Sequence, residues 1–379
     1  MNAAPAVRAI PSSAPLAGLR VMAVSPVSGY AGFNTSIHRV RALKSLGCQV
    51  DVLDSLPSCT SRQAALGQRI LNRLFRYGLP VPLLDSASVG PRLLTAVSHE
   101  TYDIIWLEKV LTLNREVLAG VRHCSPATLI VGFSPDDMAG RHNQSQQFLD
   151  TLPLHDLYLT TKTYNVNELQ ELGCPEVVFI GNGYDPASFR PFPVTPRDEC
   201  LLGGDIGFIG TYESDRAEML HFLATNGLHV RVWGDGWVHM KRSHPNLCIE
   251  GYPVYGDDFA KACSAFKINL GFLRKLNRDL QTTRSVEIPA CGGFMLAERT
   301  SEHQELFVEG EEAEFFDSPE ELLEKCHFYL AHEEVRRRIA ERGYQRCLSS
   351  DYSNAGRLAT VFPHLLFRLH QKLQRNQLS

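Results

Sequence analysis

The apolar run Leu19-Arg-Val-Met-Ala-Val24 passes through Ser25-Pro-Val-Ser-Gly-Tyr-Ala-Gly-Phe33 into a helical pattern from Asn34 to Leu46, closed by Gly47, and then into Gln49 to Leu53. Strand, glycine-bearing loop, helix and strand in that order form the unit of a parallel α/β fold. Parallel sheets are covered on both faces, so their strands read as nearly continuous apolar text. Such runs recur at Ile104–Leu107, Thr128–Phe133, Leu157–Thr160 and Val177–Ile180, with helical patterns between them. A second alternation follows, with strands expected at Ile206–Ile209, His229–Trp233, Leu247–Glu250, Ile268–Leu270 and Phe294–Leu296. Its helices are expected at Asp215–Thr225, Asp257–Ala265, Thr283–Ala290 and Glu320–Tyr329, and from Glu333 through Leu373 with a break at Pro363.

Between the two alternations the text loses periodicity and gathers Pro186, Pro191, Pro193, Pro196 and Gly203-Gly204. The sequence therefore divides into a loose tail (1–18), an N-terminal Rossmann-like domain (19–190), a linker (191–204), a C-terminal domain (205–355) and a helical extension (356–379). A length of 379 residues suits two such domains. Apolar residues at 44% and charged residues at 21% exclude a disordered chain. The net charge of −4 argues against wholesale nucleic-acid binding, but residues 1–122 alone carry 13 Lys/Arg against 7 Asp/Glu. Ten cysteines are scattered singly with no Cys-x-x-Cys, and no apolar run of ~18 residues occurs. The expectation is a reduced, cytoplasmic protein.

The segment Thr282-Thr-Arg-Ser-Val-Glu-Ile-Pro-Ala-Cys-Gly-Gly-Phe-Met-Leu-Ala-Glu298 is the most informative. Thr282 or Thr283 can cap a short helix that Pro289 limits and Gly292-Gly293 ends. Hydroxyls and Arg284 at its start suit a diphosphate, and Glu287 suits the two hydroxyls of a ribose. A plain helix cap with a structural Arg284–Glu287 pair explains the same residues equally well.

Here the chain resembles the GT-B glycosyltransferases, in particular the spore-maturation-protein-B-like branch of the family-1 type. The resemblance is carried by Asp205-Ile-Gly-Phe-Ile-Gly-Thr-Tyr212 with Arg216, Val232-Trp-Gly-Asp-Gly-Trp237, the Arg284–Phe294 segment and Phe307-Val-Glu-Gly-Glu-Glu-Ala-Glu-Phe-Phe-Asp317. In the N-terminal half it is carried by Ser134-Pro-Asp-Asp-Met138, Thr160-Thr-Lys-Thr-Tyr-Asn-Val-Asn-Glu-Leu169 and Gly181-Asn-Gly-Tyr-Asp185. It implies two facing doubly wound domains, a nucleotide sugar on the C-terminal one, an acceptor on the N-terminal one, and a last helix packing back toward the N-terminal domain. It also implies donor contacts from Glu287, Arg284, Thr283, Arg216, Gly210 and Thr211, with Tyr252 beside the base. Asp279 stands where many relatives have a second glutamate that touches the sugar. The reaction implied is transfer of a sugar to a hydroxyl on a glycan or lipid-linked acceptor, with retention at the anomeric carbon. A sugar-nucleotide epimerase and a non-catalytic binding protein of the same fold are the alternatives.

Three further features belong to the N-terminal half. Gly29 and Gly32 lie in the loop after the first strand, where glycine lets backbone N–H groups approach a ligand, although a tight turn explains them nearly as well. Asp136 and Asp137 follow a buried strand directly, as a proton-transfer pair or as turn caps. Thr60–Tyr77 is an amphipathic helix with Arg69, Arg73 and Arg76 opposite Leu66, Ile70, Leu71, Leu74 and Phe75, suited to peripheral contact with anionic lipid or to docking by its apolar face. No Asp-x-Asp and no His-Glu-x-x-His occurs, so no metal or other cofactor is expected and phosphate charge would fall to arginine.

Overall fold

The computed structural model describes residues 16, 18–28, 34–56 and 64–378. The chain divides into two compact units, Met1–Gly181 together with Ala355–Ser379, and Asn182–Asn354.

In the first unit, in chain order, the elements are β1 (Arg20–Ser25), α1 (Thr35–Ser45), β2 (Gln49–Asp54), α2 (Ala64–Arg76), α3 (Val89–His99), β3 (Ile104–Glu108), α4 (Arg115–Cys124), β4 (Leu129–Ser134), α5 (Gln146–Thr151), β5 (Leu157–Thr160), α6 (Asn165–Glu171) and β6 (Val177–Phe179). The six strands form one parallel sheet in the order β2-β1-β3-β4-β5-β6. The strand order reverses between β1 and β3, so the crevice of a doubly wound sheet falls at their carboxyl ends. Both faces are covered: Val21, Trp106, Val131 and Leu159 lie in one apolar layer, and Met22, Val24, Ile105 and Ile130 in the other.

In the second unit the elements are α7 (Pro196–Leu202), β7 (Gly204–Ile209), α8 (Ser214–Thr225), β8 (Val230–Trp233), β9 (Leu247–Ile249), α9 (Gly256–Ala265), β10 (Phe266–Gly271), α10 (Arg284–Ala290), β11 (Met295–Glu298), α11 (Ser301–Leu306), β12 (Glu314–Phe316), α12 (Pro319–Ala331) and α13 (Glu333–Ser349). Its sheet is also wholly parallel, in the order β12-β11-β10-β7-β8-β9, and reverses between β7 and β10. This is the doubly wound order in which ligands bind beyond the strand ends at the reversal.

The last helix, α14 (Asn354–Leu378), runs through Pro363 instead of breaking there. Val361, Phe362 and Leu365 are buried in the first unit's core, so packing holds the helix across the missing N–H. Lys372 Nζ reaches Asp156 Oδ2 at 2.7 Å and the Thr128 carbonyl at 2.6 Å, and Glu176 is paired with His364 and Arg368. The break lies earlier, at residues 350–353, where Asp351 takes a left-handed φ of 47°. The stretch 191–204, read as linker, holds α7, whose first turn Pro196 fits and whose start is a capping box between Thr195 and Asp198.

Candidate functional site

In the second unit, the loops after β7, β8, β9 and β10 and the start of α10 interlock at the carboxyl edge of the sheet. Gly210 donates its N–H to the Trp233 carbonyl at 2.9 Å and accepts from Trp237 Nε1 at 2.8 Å. Gly234 must be glycine, because its φ is +150° and a Cβ there would stand 2.0 Å from the Gly210 oxygen. Its N–H bonds to the Tyr252 carbonyl at 3.0 Å. Gly210 therefore serves as a hub between two loops. Tyr252 is 56% exposed and meets Trp233 edge to face at 5.3 Å, which leaves its outer surface open to a planar ligand.

Arg284, at the start of α10, lies 4.2 Å over the Phe259 ring, approaches the Ile209 carbonyl at 3.4 Å through Nε, and pairs with Glu287. Glu287 is buried while a third of the Arg284 side chain is exposed, so the arginine is the accessible member. Thr283 is not the expected cap: its backbone is already helical (φ −59°, ψ −33°) and its side chain makes no cap bond. Ser285 supplies the turn, its Oγ accepting from Thr282 N at 3.0 Å.

Arg216, in the first turn of α8, is drawn inward. It donates to the exposed Thr211's carbonyl at 3.0 Å, lies over Phe208 and stands 3.5 Å from Glu213. Burial lowers its pKa, Glu213 opposes that shift, and Arg274 adds to it, while Asp279 and Glu298 oppose it. Glu213 also takes a 2.9 Å bond from the half-exposed Arg274. The carboxylate thus joins two arginines beside the β7–β10 reversal. Asp279 is buried, with Oδ2 3.4 Å from the Arg274 amide, in a loop that turns at Arg278 through a left-handed φ of 48°. Arg274 and Glu213 escaped sequence reading because only the fold brings them to Arg216.

In the first unit, the crevice at the β1–β3 reversal is filled by a buried polar knot. Glu108 accepts from Ser25 Oγ at 2.8 Å, Ser36 Oγ at 2.6 Å and Arg39 Nε at 3.1 Å. Burial alone would raise the Glu108 pKa, but the Arg39 charge and the hydroxyl bonds outweigh it and leave the carboxyl below its ordinary value. Next to it, Lys109 takes a left-handed φ of 45° and reaches Asn143 Oδ1 at 2.9 Å and the Asp136 carboxylate. Asp136 and Asp137 have different surroundings. Asp137 is buried, its Oδ1 accepting from Ala139 N at 3.1 Å, Gly140 N at 3.0 Å and Asn165 Nδ2 at 2.8 Å, which is the turn-cap reading. Asp136 keeps about a quarter of its side chain exposed beside Lys109. Gly29 and Gly32 lie outside the described residues. Among the described residues no group of three or more His, Cys, Asp or Glu side chains could hold a metal ion.

Residues 216–362, which carry Arg216, Tyr252, Asp279, Arg284 and Glu287, match the glycosyl transferase-like family. The chain has the GT-B fold, and its second unit carries a glycosyl transferase-like domain. No curated protein matches the chain by sequence. Its fold is similar to that of HepE from Anabaena, solved in complex with UDP and glucose, at a TM-score of 0.60, 12% identity and coverage of 92% of this chain and 99% of that one. Sucrose-phosphate synthase from Thermosynechococcus elongatus gives 0.59 at 11% identity, covering 92% and 99%. A putative UDP-N-acetylglucosamine 2-epimerase from Listeria monocytogenes gives 0.52 at 12% identity, covering 92% and 97%. The chain thus has the two-domain GT-B architecture, each sheet doubly wound.

Proposed function

We propose that this chain is a GT-B glycosyltransferase that takes a sugar from a nucleoside diphosphate donor, UDP-linked in the first instance, and passes it to a hydroxyl of a glycan or lipid-linked acceptor with retention at the anomeric carbon. The observation that carries the reading is the gathering of Arg216, Arg274, Arg284 and Glu287 around the strand-order reversal of the family-matched unit. Glu287 would accept from the ribose hydroxyls once Arg284 turns from it to the diphosphate. Arg216 and Arg274 would share the remaining phosphate charge, and Tyr252 would flank the base. The main help to the transition state is neutralisation of the leaving diphosphate by these cations, with no metal required. Solved neighbours bound to UDP and UDP-glucose support the choice of uridine as the first base to test.

On the acceptor side the reading assigns Asp136, oriented by Lys109, to the acceptor hydroxyl. Helix α2 would bring the enzyme to an anionic membrane surface. Arg69, Arg73 and Arg76 are all exposed on it, as are Ile70 and, just beyond its end, Tyr77. No described helix is long and apolar enough to cross a membrane.

A thermal-shift series with UDP, GDP, ADP, CMP and dTDP tests the donor reading. A ligand at 100 times its dissociation constant adds ~2.7 kcal/mol of stability, and no shift with any of the five overturns it. The likeness to the Listeria protein keeps an epimerase as the second reading. Conversion of the UDP-sugar to an isomer without acceptor would select it.

A further inference from the structure

We propose that the first turn of α11, through His303 and Thr300, is the platform that positions the donor segment Asp279–Glu287, making His303 a positioning residue for the nucleotide. The inference rests on the donor reading above. His303 Nδ1 lies 2.6 Å from the Glu298 carbonyl at the end of β11, and its Nε2 lies 2.7 Å from Ser285 Oγ. A carbonyl oxygen only accepts, so Nδ1 carries the proton and the neutral ring presents Nε2 as acceptor. The Ser285 hydroxyl must then donate to the histidine, which leaves its oxygen free to take the Thr282 N–H at 3.0 Å. One direction of donation runs through the whole relay: Thr282 to Ser285, Ser285 to His303, and His303 to Glu298.

The imidazole is buried and stacked on Phe315 at 5.5 Å and 4°, so it cannot swing aside. Burial also lowers its pKa, which keeps the ring in the neutral form that the relay needs. A second tie leaves the same turn. Thr300 Oγ1 donates to the Leu280 carbonyl at 2.6 Å while accepting from His303 N at 3.0 Å. Leu280 and Ser285 bracket Thr282, Thr283 and Arg284, and Glu287 sits half a turn beyond. The bracketed stretch leaves the irregular loop that turns at Arg278, so the two ties fix where Arg284 and Glu287 stand. Groups that bind a ligand keep their geometry only when the layer behind them is itself hydrogen-bonded and packed.

The test is UDP affinity by titration calorimetry in folded Ser285→Ala, His303→Phe, the double variant and His303→Gln, with Glu287→Ala as the control on the donor reading. Ser285→Ala and His303→Phe should each weaken UDP by about 3- to 10-fold, the value of one hydrogen bond. The double variant should be no worse than either single one, because both cut the same relay. His303→Gln, which can donate and accept at once, should recover most of the affinity. With a donor sugar the loss should appear in KM, with kcat within about twofold. Wild-type UDP affinity in folded Ser285→Ala, or losses that add in the double variant, would overturn the proposal. Should Glu287→Ala also bind UDP normally, the donor reading fails as well. A loss in Glu287→Ala alone leaves that reading standing and removes only the role of His303. Ser285→Ala is the decisive variant if His303→Phe does not fold.

Discussion

Arg284 holds the carboxylate of Glu287 one turn along α10, so the two side chains expected to serve a diphosphate and a ribose are paired with each other. The carboxylate is buried and would be costly to leave alone. A nucleotide can replace the arginine there only by offering donors of its own, which the ribose hydroxyls do. Glu287→Ala should weaken UDP by ~1.5–3 kcal/mol, the range for a hydrogen bond to a charged group. Calorimetry on the folded variant checks it, and unchanged affinity removes the ribose role.

The two adjacent aspartates should separate cleanly. Asp136→Asn alters the group beside Lys109, so turnover should fall by ~10²–10⁴-fold while UDP affinity holds. Asp137→Asn weakens acceptance from two backbone amides and from Asn165 in a buried turn. It should lower the melting temperature by several degrees, the equivalent of ~1–3 kcal/mol. Near-normal turnover in Asp136→Asn would move the acceptor-side role to another residue.

Acid should destabilise the protein in two stages. His155 is buried with Nδ1 donating to the Thr151 carbonyl at 3.1 Å, and burial takes its pKa from 6.5 to about 4. Below pH 6.5 the unfolded state takes a proton that the folded state refuses, so stability falls as pH drops from 6.5 toward 4. At ~1.4 kcal/mol per unit this loss is roughly 3 kcal/mol. Below that, Glu321 follows, lowered to about 2 chiefly by its bond to Arg299, and with it Glu108. The contribution of Glu321 is complete above about 4.5 and is lost as pH falls toward 2, and that of Glu108 is lost in the same direction. Melting temperatures from pH 8 to 3 should show both stages, and His155→Gln should flatten the first.

The two sheets were legible because strands buried on both faces leave apolar runs that hardly depend on context. β12 was not, since Glu314-Phe-Phe316 is too short to carry a pattern and is fixed by pairing with β11. The helix α7 was hidden in proline-rich text, although Pro196 is harmless in a first turn. Within the site, the Arg284–Glu287 pair was visible because one helical turn separates its members. The knot at Glu108 was not, since its partners Ser25 and Arg39 lie 83 and 69 residues away in sequence. Arg274 was missed for the same reason: Glu213, which it holds, is 61 residues away.

The last prediction concerns α2. The sequence allowed a helix docked by its apolar face, but Ile70 is 55% exposed and Leu71, Leu74 and Phe75 are only partly covered. Tyr77 and Leu79 extend the exposed apolar surface past the helix end, and Arg73 lies 6.0 Å over the Tyr77 ring. Apolar side chains beside three exposed arginines suit the boundary between headgroups and acyl chains, with each cation near the surface worth ~1 kcal/mol against anionic lipid. Replacing Arg69, Arg73 and Arg76 by Gln should therefore cost about 3 kcal/mol of binding to phosphatidylserine vesicles, roughly 100-fold, with little change in melting temperature. Raising the salt from 0.05 to 0.5 M should weaken the wild type in the same direction, because it shortens the reach of surface charge to a few ångströms. Vesicle co-sedimentation checks both. A wild-type protein that ignores anionic vesicles at low salt would leave the exposed face of α2 without this role.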